Sequence, residues 1–183
     1  MSQIPMEYLC IYDPQFFLYA EDFLEEFGLN AAVEPVRCME TLRAVVDKYA
    51  VVRYLEVILH GRPNLIRFAN GGGMVGSYLG ELTSAGNMLC QNARVLFISC
   101  NIGDGPVGEK FLSEIGKKMF RGIGGIVGAS TVTNFAIPGG FMNPFWAGLL
   151  KVRRFDTNGD QVGARDVDQF GRTLEELRKG GCL

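Results

Sequence analysis

RVLFISCNIGDGPVGEK, residues 94–110, is the stretch whose reading decides the fold. An apolar run ends on Ser99-Cys100, a glycine-rich turn follows, and the chain then takes up helical spacing. A continuous apolar run bounded by a turn and a helix is how a buried strand of a parallel sheet reads. A cysteine at that junction is either buried filler, since cysteine is among the most buried residue types, or a nucleophile. The choice turns on VRYLEVILHG, residues 52–61, a second apolar run that ends on His60, the single histidine of the chain.

Outward from these two runs, strands alternate with helices. Glu7 to Tyr12 is a short apolar run closed by Asp13-Pro14, an aspartate-proline pair that caps the helix expected over Gln15 to Phe27 and ended by Gly28. A short strand near Ala31 to Val36 precedes a helix carrying Met39, Leu42, Val45, Val46 and Tyr49 on one face. Beyond Gly61, Asn70-Gly71-Gly72-Gly73 separates two β-prone runs, Asn64 to Ala69 and Met74 to Leu79, and predicts a hairpin. A helix over Gly80 to Gln91, a strand over Arg94 to Ser99, a helix over Gly108 to Phe120 and a strand over Gly124 to Ser130 follow. Thr131 to Asn143 is rich in glycine and proline and reads as a loop, of the kind that lines active sites or merely connects. Asn158-Gly159, between Trp146 to Phe155 and Gln161 to Ala164, predicts a second hairpin, and Thr173 to Lys179 a terminal helix. The expected fold class is α/β: a three-layer arrangement with a mainly parallel sheet of about six strands, helices on both faces, and a hairpin added near the carboxyl end.

Composition narrows the function. With 183 residues, 48% of them hydrophobic, the chain suits one domain with a proper core and is short for two. Its 18 basic residues face 20 acidic ones, and no dense basic cluster is present, which argues against nucleic acid as a partner. No apolar run approaches the ~18 residues that span a bilayer, and the amino-terminal MSQIPMEYLC lacks a basic stretch followed by an apolar core and a cleavage site. The expectation is therefore no membrane partner and a cytoplasmic protein. The five cysteines, Cys10, Cys38, Cys90, Cys100 and Cys182, are scattered without a Cys-x-x-Cys pair, so reduced thiols are expected, with neither a disulfide framework nor a zinc site.

In an open parallel sheet, ligands sit outside the carboxyl ends of the strands. If the strands ending at His60 and Cys100 are neighbours, imidazole and thiol can address one substrate carbonyl. Acyl transfer needs that pair: a sulfur nucleophile, and a base that carries the proton to the leaving amine. The backbone N–H groups of Gly61 and Cys100 are candidates for the oxyanion hole, glycine allowing close backbone approach.

LEVILHG and VLFISCNIGDGPVGEKFLSEIG, followed by GGIVGAST, resemble the histidine-glycine and cysteine signatures of the caspase-like cysteine peptidases. That clan includes caspases, metacaspases, gingipains, clostripain and bacterial CHAT-type domains. The resemblance covers about Val52 to Thr131. It implies that His60 is the general acid/base, Cys100 the nucleophile and Gly61 part of the oxyanion hole, with no cofactor and a protein or peptide as substrate. It also implies where the specificity pocket lies, beside the turn after the nucleophile. Asp104 is the charged side chain of that turn, so a preference for a basic residue before the cut bond is expected; a helix-capping role for Asp104 is the competing reading.

Two readings of other classes stand beside the peptidase. Some members of the clan are inactive scaffolds, so a silent interaction module is the runner-up. The third is a nucleotide-binding protein, because residues 103–108 fit G-x-G-x-x-G after a strand; the strand stops short of Gly103, however, and GIVGAST does not end on the acidic residue that binds a ribose. Finally, Asp156-Thr157-Asn158-Gly159-Asp160 opens like a calcium loop but reaches Val167 where a closing carboxylate is needed, with Asp166 and Asp168 on either side. A plain hairpin turn is the better reading of that segment.

Overall fold

Residues 2–68, 70–74, 78–81, 87–131 and 150–167 are described here, from a computed structural model. In chain order they form β1 (Ile4–Pro5), β2 (Tyr8–Tyr12), a 3₁₀ turn (Pro14–Phe16), α1 (Phe17–Phe27), β3 (Ala31–Pro35), α2 (Met39–Lys48), β4 (Tyr49–Ala50) and β5 (Val52–Ile58). Then come β6 (His60–Arg62), β7 (Leu65–Arg67), β8 (Gly73–Met74), β9 (Leu89–Phe97), α3 (Gly105–Met119), β10 (Gly125–Ser130), β11 (Leu150–Phe155) and β12 (Gln161–Val167).

The main sheet runs β3-β2-β5-β9-β10-β11-β12, parallel from β3 to β10 and antiparallel across β11 and β12. Side-chain alternation sends successive residues to opposite faces. Leu55, Val57, Val95, Phe97 and Val127 meet α2 and α3 through Leu42, Val46, Phe111, Leu112 and Ile115, whereas Cys10, Tyr54, Ile58 and Leu96 share the other face with Phe23 of α1. Each such aliphatic or aromatic side chain, removed from water, contributes about 1.5–3 kcal/mol. Both faces of the central strands are thus buried, which is why their sequences read as continuous apolar runs. Among the described residues no helix is long and apolar enough to cross a membrane.

Among the described residues the sheet has seven strands, not about six. The carboxyl-terminal hairpin is no addition: β11 pairs with β10 from Gly125↔Phe155 to Ser130↔Leu150 and continues the sheet to an antiparallel edge. The strand expected to begin at Arg94 begins at Leu89, which cuts short the helix expected to reach Gln91. Tyr78 and Leu79, expected in a strand, are helical. The first hairpin is present as β7 and β8, but β6 joins it to make a three-stranded sheet that starts at His60 itself. The terminal helix over Thr173 to Lys179, most of the loop Thr131 to Asn143, and the start of the run at Trp146 lie outside the described residues.

The edge hairpin is fastened to α3 by charge. Arg153 of β11, with 6% of its side chain exposed, donates Nε and Nη2 to the two carboxylate oxygens of Glu109 at 3.1 and 2.6 Å, and Nη1 to Asp166 at 2.6 Å. Lys151 adds a 2.8 Å contact to Glu109. Burial pushes the Glu109 carboxyl up, but the hydrogen bonds from Arg153 and Lys151 outweigh it and hold it below its ordinary 4.5. A carboxyl depressed by folding adds stability above its unfolded value and loses it as pH falls through the folded one. Glu109→Gln is therefore expected to cost about 1 kcal/mol near neutrality, a modest figure because the Glu109 carboxylate, 41% exposed, is screened by solvent. Melting temperatures of the two proteins should draw together as pH falls below the ordinary carboxyl range, and a gap that does not narrow there would assign the loss to packing.

Candidate functional site

The order β3-β2-β5 means that the chain leaves β2 in one direction across the sheet and returns on its other side at β5. Such a reversal opens a crevice at the carboxyl ends of the two strands. Asp13 follows β2, and His60 follows β5 after the buried Leu59.

The strands that lead to His60 and Cys100, β5 and β9, are adjacent and parallel. Val57 pairs with Phe97, and Ile98 N–H donates to the Val57 carbonyl at 2.9 Å. His60 and Cys100 each stand three residues beyond that pair, both past the carboxyl ends of β5 and β9. Gly61 closes the gap between them. A Cβ built there would lie 2.8 Å from Ser99 Cβ, 2.9 Å from the Cys100 carbonyl oxygen and 3.2 Å from the Cys100 nitrogen. Gly61 does not have a positive φ. What it supplies is space, since any side chain would push β6 away from the cysteine.

Cys100 is half-buried and in no disulfide, in a turn that reverses tightly. Asn101 takes φ 52°, Ile102 is buried beneath it, Asp104 N–H returns to the Asn101 carbonyl at 3.0 Å, and Gly103 N–H bonds the Ser130 carbonyl at 2.9 Å. The glycines of residues 103–108 have packing duties. A Cβ at Gly103 would come within 3.0 to 3.2 Å of Ala129 and Ser130, and one at Gly108 of α3 within 2.0 Å of the Gly103 backbone.

Asp104 occupies the N-cap position of α3, but its side chain makes no capping hydrogen bond and is exposed. The partly desolvated carboxylate expected to select a basic residue is thus not found at Asp104. In contrast, Arg67 stands opposite His60 in the β6–β7 register, and Arg62 lies two residues along β6 on the same face. The charged residues of β6 and β7, Arg62 and Arg67, are thus both basic.

On the other side is a residue that sequence reasoning treated as a helix cap. Asp13 does cap, accepting Gln15 N–H at 3.0 Å through Oδ1. Its second oxygen, Oδ2, lies 3.8 Å from His60 Nε2, with the Asp13 side chain fully buried and 37% of the His60 side chain exposed. Asp13 N–H also bonds the Ile58 carbonyl at 2.8 Å, tying the end of β2 to the end of β5. The Phe16 ring packs 5.1 Å from the imidazole. Nothing in the local sequence distinguishes this aspartate from an ordinary cap; the signal is the spatial adjacency of β2 and β5.

The Asp156 turn is a hairpin turn closed by hydrogen bonds. Asp156 Oδ1 accepts N–H groups of Asn158 at 2.8 Å and Asp160 at 3.0 Å, and these bonds, led by that from Asp160, hold its carboxyl below the ordinary value. Asp166 is committed to Arg153.

Searched against models of protein families and against curated proteins, the chain matches none. What fold and site define is an α/β protein with a large, mostly parallel sheet, and a cysteine, a histidine and a buried aspartate gathered at its carboxyl edge.

Proposed function

We propose that the protein is a cysteine endopeptidase of the caspase-like kind, with Cys100 as nucleophile and His60 as general acid/base. The observation that carries this reading is the contact of Gly61 with the Cys100 backbone, because it brings a histidine and a cysteine from separate strands to one small space. Neighbouring parallel strands lie about 5 Å apart, a spacing that one carbonyl group can bridge.

In the proposed reaction, Cys100 Sγ attacks the carbonyl carbon of the scissile peptide while His60 takes up the thiol proton. The oxyanion is met by the N–H groups of Gly61 and Cys100. The C–N bond breaks as His60 delivers the proton to the amine, leaving a thioester. Water then attacks that thioester, giving its proton to His60, and the carboxylic acid and the thiol are regenerated. Since Asp104 is exposed, selection of a basic residue would need another acidic partner, and Arg62 and Arg67 favour acidic character in the part of the substrate that crosses the hairpin.

Profiling the protein against a diverse peptide library, with Cys100→Ala as the control, tests the reading. Cleavage lost in the control is expected, and no cleavage of any peptide by the unaltered protein would favour a silent interaction module. A second measurement needs no substrate. Under limiting iodoacetamide at neutral pH, Cys100 should label ahead of Cys10, which is fully buried, and ahead of Cys38 and Cys90, whose thiols lie against the Thr41 hydroxyl and the Gln91 carbonyl. Slower labelling at Cys100 would remove the nucleophile.

A further inference from the structure

We infer that Asp13 is a positioning residue for His60: its buried carboxylate holds the imidazole by Nε2 and leaves Nδ1 to exchange protons at Cys100. The inference deepens the acyl-transfer reading and rests on it for its catalytic consequence.

Three observations meet at this carboxylate. It is fully buried, and a buried carboxylate is costly unless hydrogen-bonded and set against positive charge. It is immobile, because Oδ1 receives Gln15 N–H at 3.0 Å, the Asp13 backbone N–H reaches Ile58, and the Asp13 carbonyl accepts Phe16 N–H at 2.7 Å. It is aimed, since Oδ2 faces Nε2 at 3.8 Å. That separation is an ion-pair distance, longer than a hydrogen bond, and catalytic hydrogen bonds commonly tighten only when substrate arrives. The Phe16 ring packs on the imidazole, Arg67 is paired with His60 in the β6–β7 register, Arg62 lies two residues along β6, and the Cys100 backbone lies beside Gly61. Among them Asp13 is the one anionic group, so it alone favours a donor at Nε2 and stabilises the imidazolium that forms when the thiol proton is taken.

The capping bond makes the role testable with one atom changed. In Asp13→Asn, Oδ1 keeps the Gln15 N–H, and the amide nitrogen must then occupy the place of Oδ2. That puts a donor against Nε2, which can accept only if the ring proton moves to Nδ1, the nitrogen the reaction needs unprotonated. Because the chain has a single histidine, protein grown with ¹⁵N-labelled histidine gives one pair of ring signals. The spectrum is recorded in a Cys100→Ala background at about pH 9, above the ordinary histidine range. With Asp13 intact, the proton is expected on Nε2; with Asp13→Asn, on Nδ1. In the Cys100 protein the same substitution should lower kcat by about 10²- to 10⁴-fold and leave KM within a few-fold.

A purely structural cap would leave the tautomer and kcat alone, since asparagine caps as well as aspartate. Retention of the Nε2 proton in Asp13→Asn, or a proton on Nδ1 with Asp13 intact, would overturn the inference. The second measurement decides the matter if the asparagine variant does not fold. If the unaltered protein cleaves nothing while the tautomer still switches, the peptidase reading fails and the positioning contact stands.

Discussion

Gly61→Ala is expected to lower turnover nearly as far as His60→Ala does, although it leaves both reacting side chains in the chain. His60→Ala removes the group that carries the proton, a contribution of about 10²- to 10⁴-fold. Gly61→Ala acts through distance. The new methyl would stand 2.8 Å from Ser99 Cβ and 2.9 Å from the Cys100 carbonyl oxygen, and neither neighbour can yield: Ser99 is buried, and the carbonyl belongs to the turn backbone. The strain is relieved when β6, exposed at Arg62, lifts away and takes the imidazole with it. Misplacing a catalytic group by about 1 Å costs on the order of 10²-fold. Because β6 is short and lies outside the main sheet, the melting temperature should fall only slightly in either variant. Comparing kcat, melting temperature and Cys100 labelling in the two variants tests the argument. Full activity in Gly61→Ala would show that the imidazole does not depend on this approach, and would take Gly61 out of the oxyanion hole as well.

The central strands were legible because burial on both faces leaves a simple trace: VRYLEVILHG and RVLFISC are apolar almost throughout. Adjacency was less visible, yet the pairing of β5 with β9 as far as Val57↔Phe97, three residues short of His60 and Cys100, is what gives the two residues their meaning. The early start of β9 was hidden by irregularity. Between Val52↔Leu89 and Tyr54↔Arg94 the ladder is interrupted, Asn92 takes φ 57°, and its N–H turns to the Ile123 carbonyl, so Gln91-Asn92 breaks the alternation that marks a strand. The edge hairpin was recognised from Asn158-Gly159, but hairpin signals report a local turn and not which sheet the strands will join. Asp13 shows the same limit at the site. Its capping duty is written in the Asp-Pro pair, whereas its approach to His60 comes from β2 pairing with β5, a contact across 47 positions that no local pattern contains.

Gly108→Ala should produce the largest loss of stability among single-methyl additions near the site. In an exposed helix interior the same change is favourable by about 1 kcal/mol, since alanine is the better helix former. Here a Cβ would lie 2.0 Å from the Gly103 carbonyl carbon, 2.3 Å from its oxygen and 2.7 Å from its Cα, all backbone. The turn cannot retreat, because Gly103 N–H is bonded to Ser130 and the space beside Gly103 is so closed that a Cβ there would lie 3.0 Å from the Ala129 carbonyl oxygen. The helix cannot retreat either, for Phe111, Leu112 and Ile115 are fully buried against the sheet. Overpacking of this kind costs about 1–3 kcal/mol and occasionally more; against rigid backbone at these separations the upper end applies, which leaves a net loss of about 2 kcal/mol after the gain in helix propensity. For a chain of this size each kcal/mol moves the melting temperature by roughly 2–4 °C, so a fall of about 4–8 °C is expected. The turn being displaced carries Cys100, and iodoacetamide labelling of that thiol should change together with the melting temperature. An unchanged or higher melting temperature would mean that α3 and the turn after Cys100 are not packed against each other, and that the glycine run has some purpose other than seating the cysteine.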